Sequence, residues 1–132
     1  MASILKVDAL QGVTAAGSIL VTGEGNSTTT NLQQGLCKQW IDYGGDISSI
    51  NDSFNVSSLG DISTGKGRVN FSNLPSNANY ALSNNSQAAS TNTGKSIASA
   101  NATTSLYDNE TYENDSITDS HSVNSLMHGD LA

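Results

Sequence analysis

The chain has 132 residues, with twelve acids against five Lys and Arg, a net charge of −7, and only 13% charged and 5% aromatic residues. That length suits one domain with a modest core. The five cations, Lys6, Lys38, Lys66, Arg68 and Lys95, are scattered, which excludes the clustered basic surface that nucleic acid or an anionic membrane demands.

Ser, Thr, Asn and Gly dominate the composition, which fits either disorder or an extended β protein that completes its core in an assembly. Alternating runs favour the second. Residues 1–36 hold two short β-prone runs, Ile4-Leu5-Lys6-Val7 and Ser18-Ile19-Leu20-Val21-Thr22, joined by the small residues 12–17 and followed by a polar turn at 23–27. Two such strands cannot form a core alone. The region reads as an arm that pairs with the main domain or a neighbouring subunit. Thr30 to Gly35 suits one helical turn, with Thr30 as N-cap and Gly35 as terminator.

From Cys37 the alternation sharpens. Cys37, Gln39, Ile41 and Tyr43 share one strand face; Lys38, Trp40 and Asp42 share the other. Gly44-Gly45-Asp46 closes this strand. Phe54 and Val56 alternate with Asn55 and Ser57 in a second. Val69 and Phe71 alternate with Arg68 and Asn70 in a third. Between the last two, Gly60 to Gly67 reads as a hairpin loop with three glycines. Pro75 marks a turn, after which Tyr80 and Leu82 alternate. Residues 83–101 predict a loop or weak edge strand. Ala102, Thr104 and Leu106 alternate again, Asp108 to Asp115 reads as an acidic loop, and a final strand within Ile117 to Met127 puts Val123 and Met127 on one face and Leu126 on the other. Short strands with Gly, Asn and Ser turns between them predict an all-β antiparallel β-sandwich, jelly-roll-like, with an extended N-terminal arm. The domains are then 1–36, an arm for docking or assembly, and 37–132, the sandwich.

Motifs that carry chemistry are weak. Asn92-Thr93-Gly94-Lys95-Ser96 resembles the end of a phosphate loop, but Ala89 stands where that loop needs glycine, and no apolar strand precedes it. Asp108, Glu110, Glu113, Asp115 and Asp119 offer oxygen ligands without the EF-hand spacing, so they read as solvated acids. His121 and His128 lack zinc-ligand spacing and read as surface residues. Cys37 is the sole cysteine, so no internal disulfide forms; a buried free thiol is expected, although pairing with either His stays open. No Gly-x-Ser-x-Gly elbow occurs, and no pair among the acids stands out for sugar hydrolysis. Asn-x-Ser/Thr triplets at Asn26, Asn51, Asn55 and Asn101 follow from composition. Trp40, Tyr43, Tyr80, Tyr107 and Tyr112 serve either as core or as sugar-stacking platforms. The opening MASILKVDAL is broken by Lys6 and Asp8 and no basic leader precedes it, so no signal peptide is expected; no run has transmembrane length. Folding in a reducing cytoplasm follows.

Gly35 to Leu82 resembles a module of small fibre-like virion structural proteins of marine podoviruses and related tailed phages. The resembling segments are QGLCKQWIDYGG, INDSFNVSSLGD and GRVNFSNLPSNANYAL, and the opening MASILKVD is similar too. Four positions depart from the pattern. Ile62-Ser63 stands where the hairpin usually has Asn-Gly, although Thr64-Gly65 persists and should keep the hairpin. Gln39 replaces a small apolar residue, and Asn51 replaces an arginine. Residues 83–120 match nothing in the module. The resemblance implies a building block rather than a reaction. By that resemblance, the expected role is a non-enzymatic tail or head fibre subunit, or a capsid decoration protein, on the virion and made in the host cytoplasm. Catalytic, cofactor and metal residues are then none. Partners are other virion proteins and further copies of the chain, with a homotrimer the expected oligomer. The alternative is a host-surface glycan-binding module that turns Tyr107 and Tyr112 outward.

Overall fold

The computed structural model describes residues 4–12, 19–22, 28–88 and 95–129. They fall into two compact units, Met1–Leu36 and Cys37–Ala132. In the first, β1 (Leu20–Thr22) and β2 (Thr29–Asn31) pair antiparallel, with Val21 opposite Thr30. A single helical turn, α1 (Leu32–Gly35), follows, and its first N–H donates to the Ile19 carbonyl at 2.9 Å. The turn therefore begins two residues after the expected cap, because Thr30 and Asn31 are committed to β2. Ile4 to Val7 lies outside any strand, a correction to its β-prone reading: backbone pairing, not propensity, makes a strand, and this run has no partner among the described residues. The expected turn at 23–27 and most of the 12–17 stretch lie outside the described residues.

The second unit is an antiparallel β-sandwich. One sheet runs β4 (Ile50–Phe54), β3 (Gln39–Gly44), β11 (Ser122–His128), β7 (Ala81–Gln87). The other runs β5 (Val56–Ser63), β6 (Lys66–Phe71), β9 (Leu106–Glu113), with β8 (Ser96–Ala100) and the short β10 (Ser116–Ile117) both pairing β9. Every pairing is antiparallel. Alternation decides which side is dry. Ile41 and Tyr43 from β3 and Val123 and Met127 from β11 face Val69 and Phe71 from β6 and Tyr107 from β9, all buried. Phe71 packs edge-on to Tyr80, with ring centroids 5.8 Å apart, and tilted against Tyr107 at 5.7 Å, arrangements that aromatic quadrupoles favour.

Backbone chemistry explains where the chain changes sheet. Asn55 has φ 59°, a left-handed conformation that Asn tolerates better than most residues. Its side-chain amide donates to the carbonyls of Lys38 and Asn73, each at 3.0 Å, and its Oδ1 accepts from the Asn73 N–H at 2.6 Å. The strand expected to carry both Phe54 and Val56 is therefore broken at Asn55. Phe54 ends β4 in one sheet, exposed, while Val56 opens β5 in the other. The hairpin of β5 and β6 survives the Ile62-Ser63 replacement because its tight turn sits at Thr64-Gly65, where Gly65 takes φ 68°. Gly65 alone uses positive φ there; Gly60 and Gly67 lie inside strands.

Two polar segments prove to be strands. Ser83 to Gln87, expected as loop or weak edge strand, belongs to a seven-residue strand at the edge of its sheet, paired along its length with β11. The second segment is a correction. Asp108 to Glu113, expected as an acidic loop, is most of β9, which pairs on both edges. Its acids are tolerated because register sets Asp108 opposite Arg68 and Glu110 opposite Lys66, so each charge gains an opposite neighbour across the strand. Conversely, Ala102 and Thr104 lie in an irregular exposed link, and only Leu106 enters the strand.

Candidate functional surface on the four-stranded sheet

The outer faces of the two sheets differ sharply in chemistry. On the five-stranded sheet the outward residues are ion-paired. Arg68 meets Asp108 through Nε at 2.7 Å and Nη2 at 2.9 Å, and Asn101 adds a donor at 2.7 Å. The hydrogen bond from Arg68 holds the Asp108 carboxyl below the usual carboxylate range. Lys66 pairs with Glu110 at 2.6 Å, and Tyr112, half-buried, donates its hydroxyl to the same Glu110. This face is satisfied within itself.

On the four-stranded sheet the register aligns two rows across the strands. Phe54, Trp40, Leu126 and Ser83 form one; Asp52, Asp42, Asn124 and Asn85 form the next. The first row is apolar and open: Trp40 is 38% exposed, Phe54 51% and Leu126 36%. Between the rows a shallow groove of about 220 Å³ is walled by Trp40, Leu126, Ser83, Asn85 and Asn124. Asn85 and Asn124 sit directly opposite each other and no side-chain hydrogen bond ties either to another described residue. On the far side of the apolar row the face continues to His128 and the buried Lys38. The groove thus offers a ring face, an aliphatic patch and two amides that each donate and accept.

Of the residues singled out in the sequence, Trp40 lines this groove and the others go elsewhere. Tyr107, expected outward in the alternative reading, is fully buried between the sheets. Its hydroxyl is shared between Ser125 Oγ at 2.8 Å and Gln39 Oε1 at 3.1 Å. Ser125 in turn reaches Asn84 Oδ1, and Asn84 reaches Ser99, so a polar chain crosses the interior. Tyr43 is buried too, and burial pushes its phenol up to about 12 despite a bond from Asn109. Tyr80 caps the link before β9, within reach of the carbonyls of Thr103 and Leu106. Gln39 Nε2, Asn109 Oδ1 and Ser86 Oγ are buried with no hydrogen-bond partner among the described residues.

The side chain of Lys95 is 4% exposed and bonded to Glu113 and Thr118 at 2.7 Å and to the Asp119 carbonyl at 3.0 Å. It clamps strand to loop, and residues 92–94 lie outside the described residues. Asp119 accepts from the Gly65 N–H at 2.6 Å, and Asp115 is a turn residue at φ 63°. The acids of this stretch are therefore dispersed over separate partners, and no three metal-ligating side chains converge among the described residues. His121 and His128 bracket β11 at opposite ends, about 20 Å apart at a strand's rise. Cys37 is half-buried, its thiol on the carbonyls of Gln39 at 2.9 Å and Met127 at 3.5 Å. Asn51, Asn55 and Asn101 lie at β4, the sheet crossing and the link before β9; Asn26 lies outside the described residues.

The Trp40 groove was missed in the sequence because it draws on β3, β7 and β11, whose register alone brings its residues together. Trp40 was legible as opposite in face to Ile41 and Tyr43 and as one of five candidate stacking rings, but nothing marked its neighbours. Comparison with protein-family models, with curated proteins and with solved structures finds no match.

Proposed function

We propose that this chain is a non-enzymatic structural protein of a tailed-phage particle, a fibre subunit or capsid decoration protein, that assembles through residues 1–36 and exposes its sandwich. The observation that carries this reading is the apolar surface of the arm. Ile4, Leu5, Val7, Leu10, Leu20 and Val21 are each exposed by half or more. With Leu36, 51% exposed, that makes seven such side chains among the described residues of this unit, an unusual cost for a free monomer that suits burial against another subunit. The resemblance of Gly35 to Leu82 to fibre-like virion proteins supports the same reading. Its three segments fall on β3, on β4 with β5, and on β6 through the start of β7, so they specify a scaffold. A homotrimer is the proposed oligomer: threefold packing would help complete a small core, and closed symmetry is the general rule for homo-oligomers.

The second reading, a glycan-binding module, is favoured by one observation, the Trp40 groove with its opposed amides. The two readings are compatible in an exposed particle protein. The test of the first is immunogold electron microscopy of purified particles with antibody raised against the chain. Label on the particle surface is expected. Particles that are free of label, and of the chain by mass spectrometry, would overturn it.

A further inference from the structure

We infer that the groove between Trp40 and the Asn85–Asn124 pair is a binding site for a neutral sugar ring, such as a hexose or N-acetylhexosamine of a surface glycan. The inference rests on the particle-protein reading only in needing this face outward, and it can fail while that reading stands.

Three features select the occupant. The first is size. Taking about 200 Å² per large side chain, Trp40, Phe54 and Leu126 together expose roughly 250 Å². That is ordinary for a monomer surface and far short of the ~800 Å² per partner of a stable protein interface. The groove itself, about 220 Å³, is below the ~300–1,000 Å³ of pockets for drug-sized ligands and suits one ring. The second feature is amphipathicity. A pyranose has one face of C–H groups and a rim of hydroxyls. Trp40 and Leu126 match the face. The amides of Asn85 and Asn124, opposed across β7 and β11 and unengaged among the described residues, match vicinal hydroxyls, giving and accepting a hydrogen bond each. The third is charge. Asp42 and Asp52 continue the Asn124–Asn85 row, the groove lining holds no cation, and the chain carries −7 overall. Carboxylated or sulfated sugars are repelled from such a surface.

The chain supplies its own reporter, since Trp40 is the sole tryptophan. The full-length protein is titrated with glucose, galactose, mannose, rhamnose and N-acetylglucosamine oligosaccharides while Trp40 emission is recorded, with glucuronate and sialic acid oligosaccharides alongside. At least one neutral sugar should give a saturable change with a Kd on the order of 1 mM, as few contacts allow. The acidic sugars should bind at least about tenfold more weakly. Asn85→Ala with Asn124→Ala keeps Trp40 and should weaken binding by about tenfold or more, the loss of two hydrogen bonds, with an unchanged unfolding midpoint. Trp40→Ala, followed by calorimetry, should abolish binding. A flat response across the neutral panel would overturn the proposal, as would binding untouched by the double substitution or acidic sugars bound equally well. Trp40 emission that changes with protein concentration alone, together with loss of an oligomer in Trp40→Ala, would assign the face to a second copy and overturn it too.

Discussion

Gly45 is the residue whose replacement the geometry condemns most clearly. A Cβ built there would lie 1.8 Å from the Ser120 carbonyl oxygen and 2.2 Å from its carbon, where ordinary contact needs more than 3 Å. Both close atoms are backbone, so no side chain can swing aside. Relief demands that the β3–β4 turn and the segment before β11 separate by an ångström or more. That movement strains the Gly45 N–H bond to the His121 carbonyl, now 3.0 Å. Overpacking costs about 1–3 kcal/mol and the bond about 1 kcal/mol, so Gly45→Ala should lose about 2–4 kcal/mol. Gly60 is the internal control. There a Cβ meets nothing closer than 3.7 Å and the backbone is not left-handed, so Gly60→Ala should gain about 0.4–1 kcal/mol from the stiffer unfolded chain. Urea unfolding of both variants, followed by far-ultraviolet circular dichroism, gives the comparison. Gly45→Ala within about 1 kcal/mol of the parent would refute the packing of these two segments.

Tyr107→Phe should cost about 1–3 kcal/mol in the same assay, because it removes the hydroxyl shared by Ser125 and Gln39 and leaves polar groups buried; unchanged stability would return Tyr107 to the surface. Gln39→Met should be neutral or stabilising by up to about 1 kcal/mol, since it removes the unpartnered Nε2 along with one bond from Tyr107; a loss above about 2 kcal/mol would contradict this. For Asp108, Arg68 and then Asn101 lower the folded-state pKa, so its stabilisation is complete above the unfolded value near 4 and disappears as pH falls through the folded value. Asp108→Asn should therefore be less stable than the parent at pH 7, with the gap closing at pH below about 4; a constant gap would show that the pair contributes no pH dependence.

The strands legible in the sequence are those with one dry face. Gln39, Ile41 and Tyr43 in β3, Val69 and Phe71 in β6, and Val123 and Met127 in β11 alternate with polar residues, and two-residue periodicity reports that directly. β9 was hidden because its charges are outward and paired, and local pattern carries no record of Arg68 and Lys66 across the ladder. β7 was legible only as a loop or weak edge strand, and it is an edge strand. Its inward positions, Leu82, Asn84 and Ser86, are mostly polar, so local pattern could not choose between the two, and hydrogen bonds to β11 decide it. Asn55 shows the limit of periodicity, since Phe54 and Val56 keep perfect spacing while a single left-handed residue sends them to different sheets. Tyr107 failed as a candidate platform on the same ground: it lies on the inward phase of β9, whereas Tyr112 lies on the outward phase with its hydroxyl on Glu110, and the phase of a strand is fixed by its partners.

The most direct test of the account is the solution mass of the full chain by light scattering, beside that of a chain lacking residues 1–36. Assembly through the arm predicts a discrete oligomer, a trimer, for the full chain, and a smaller, still folded species without the arm. A full chain that stays monomeric and folded at high concentration would contradict it.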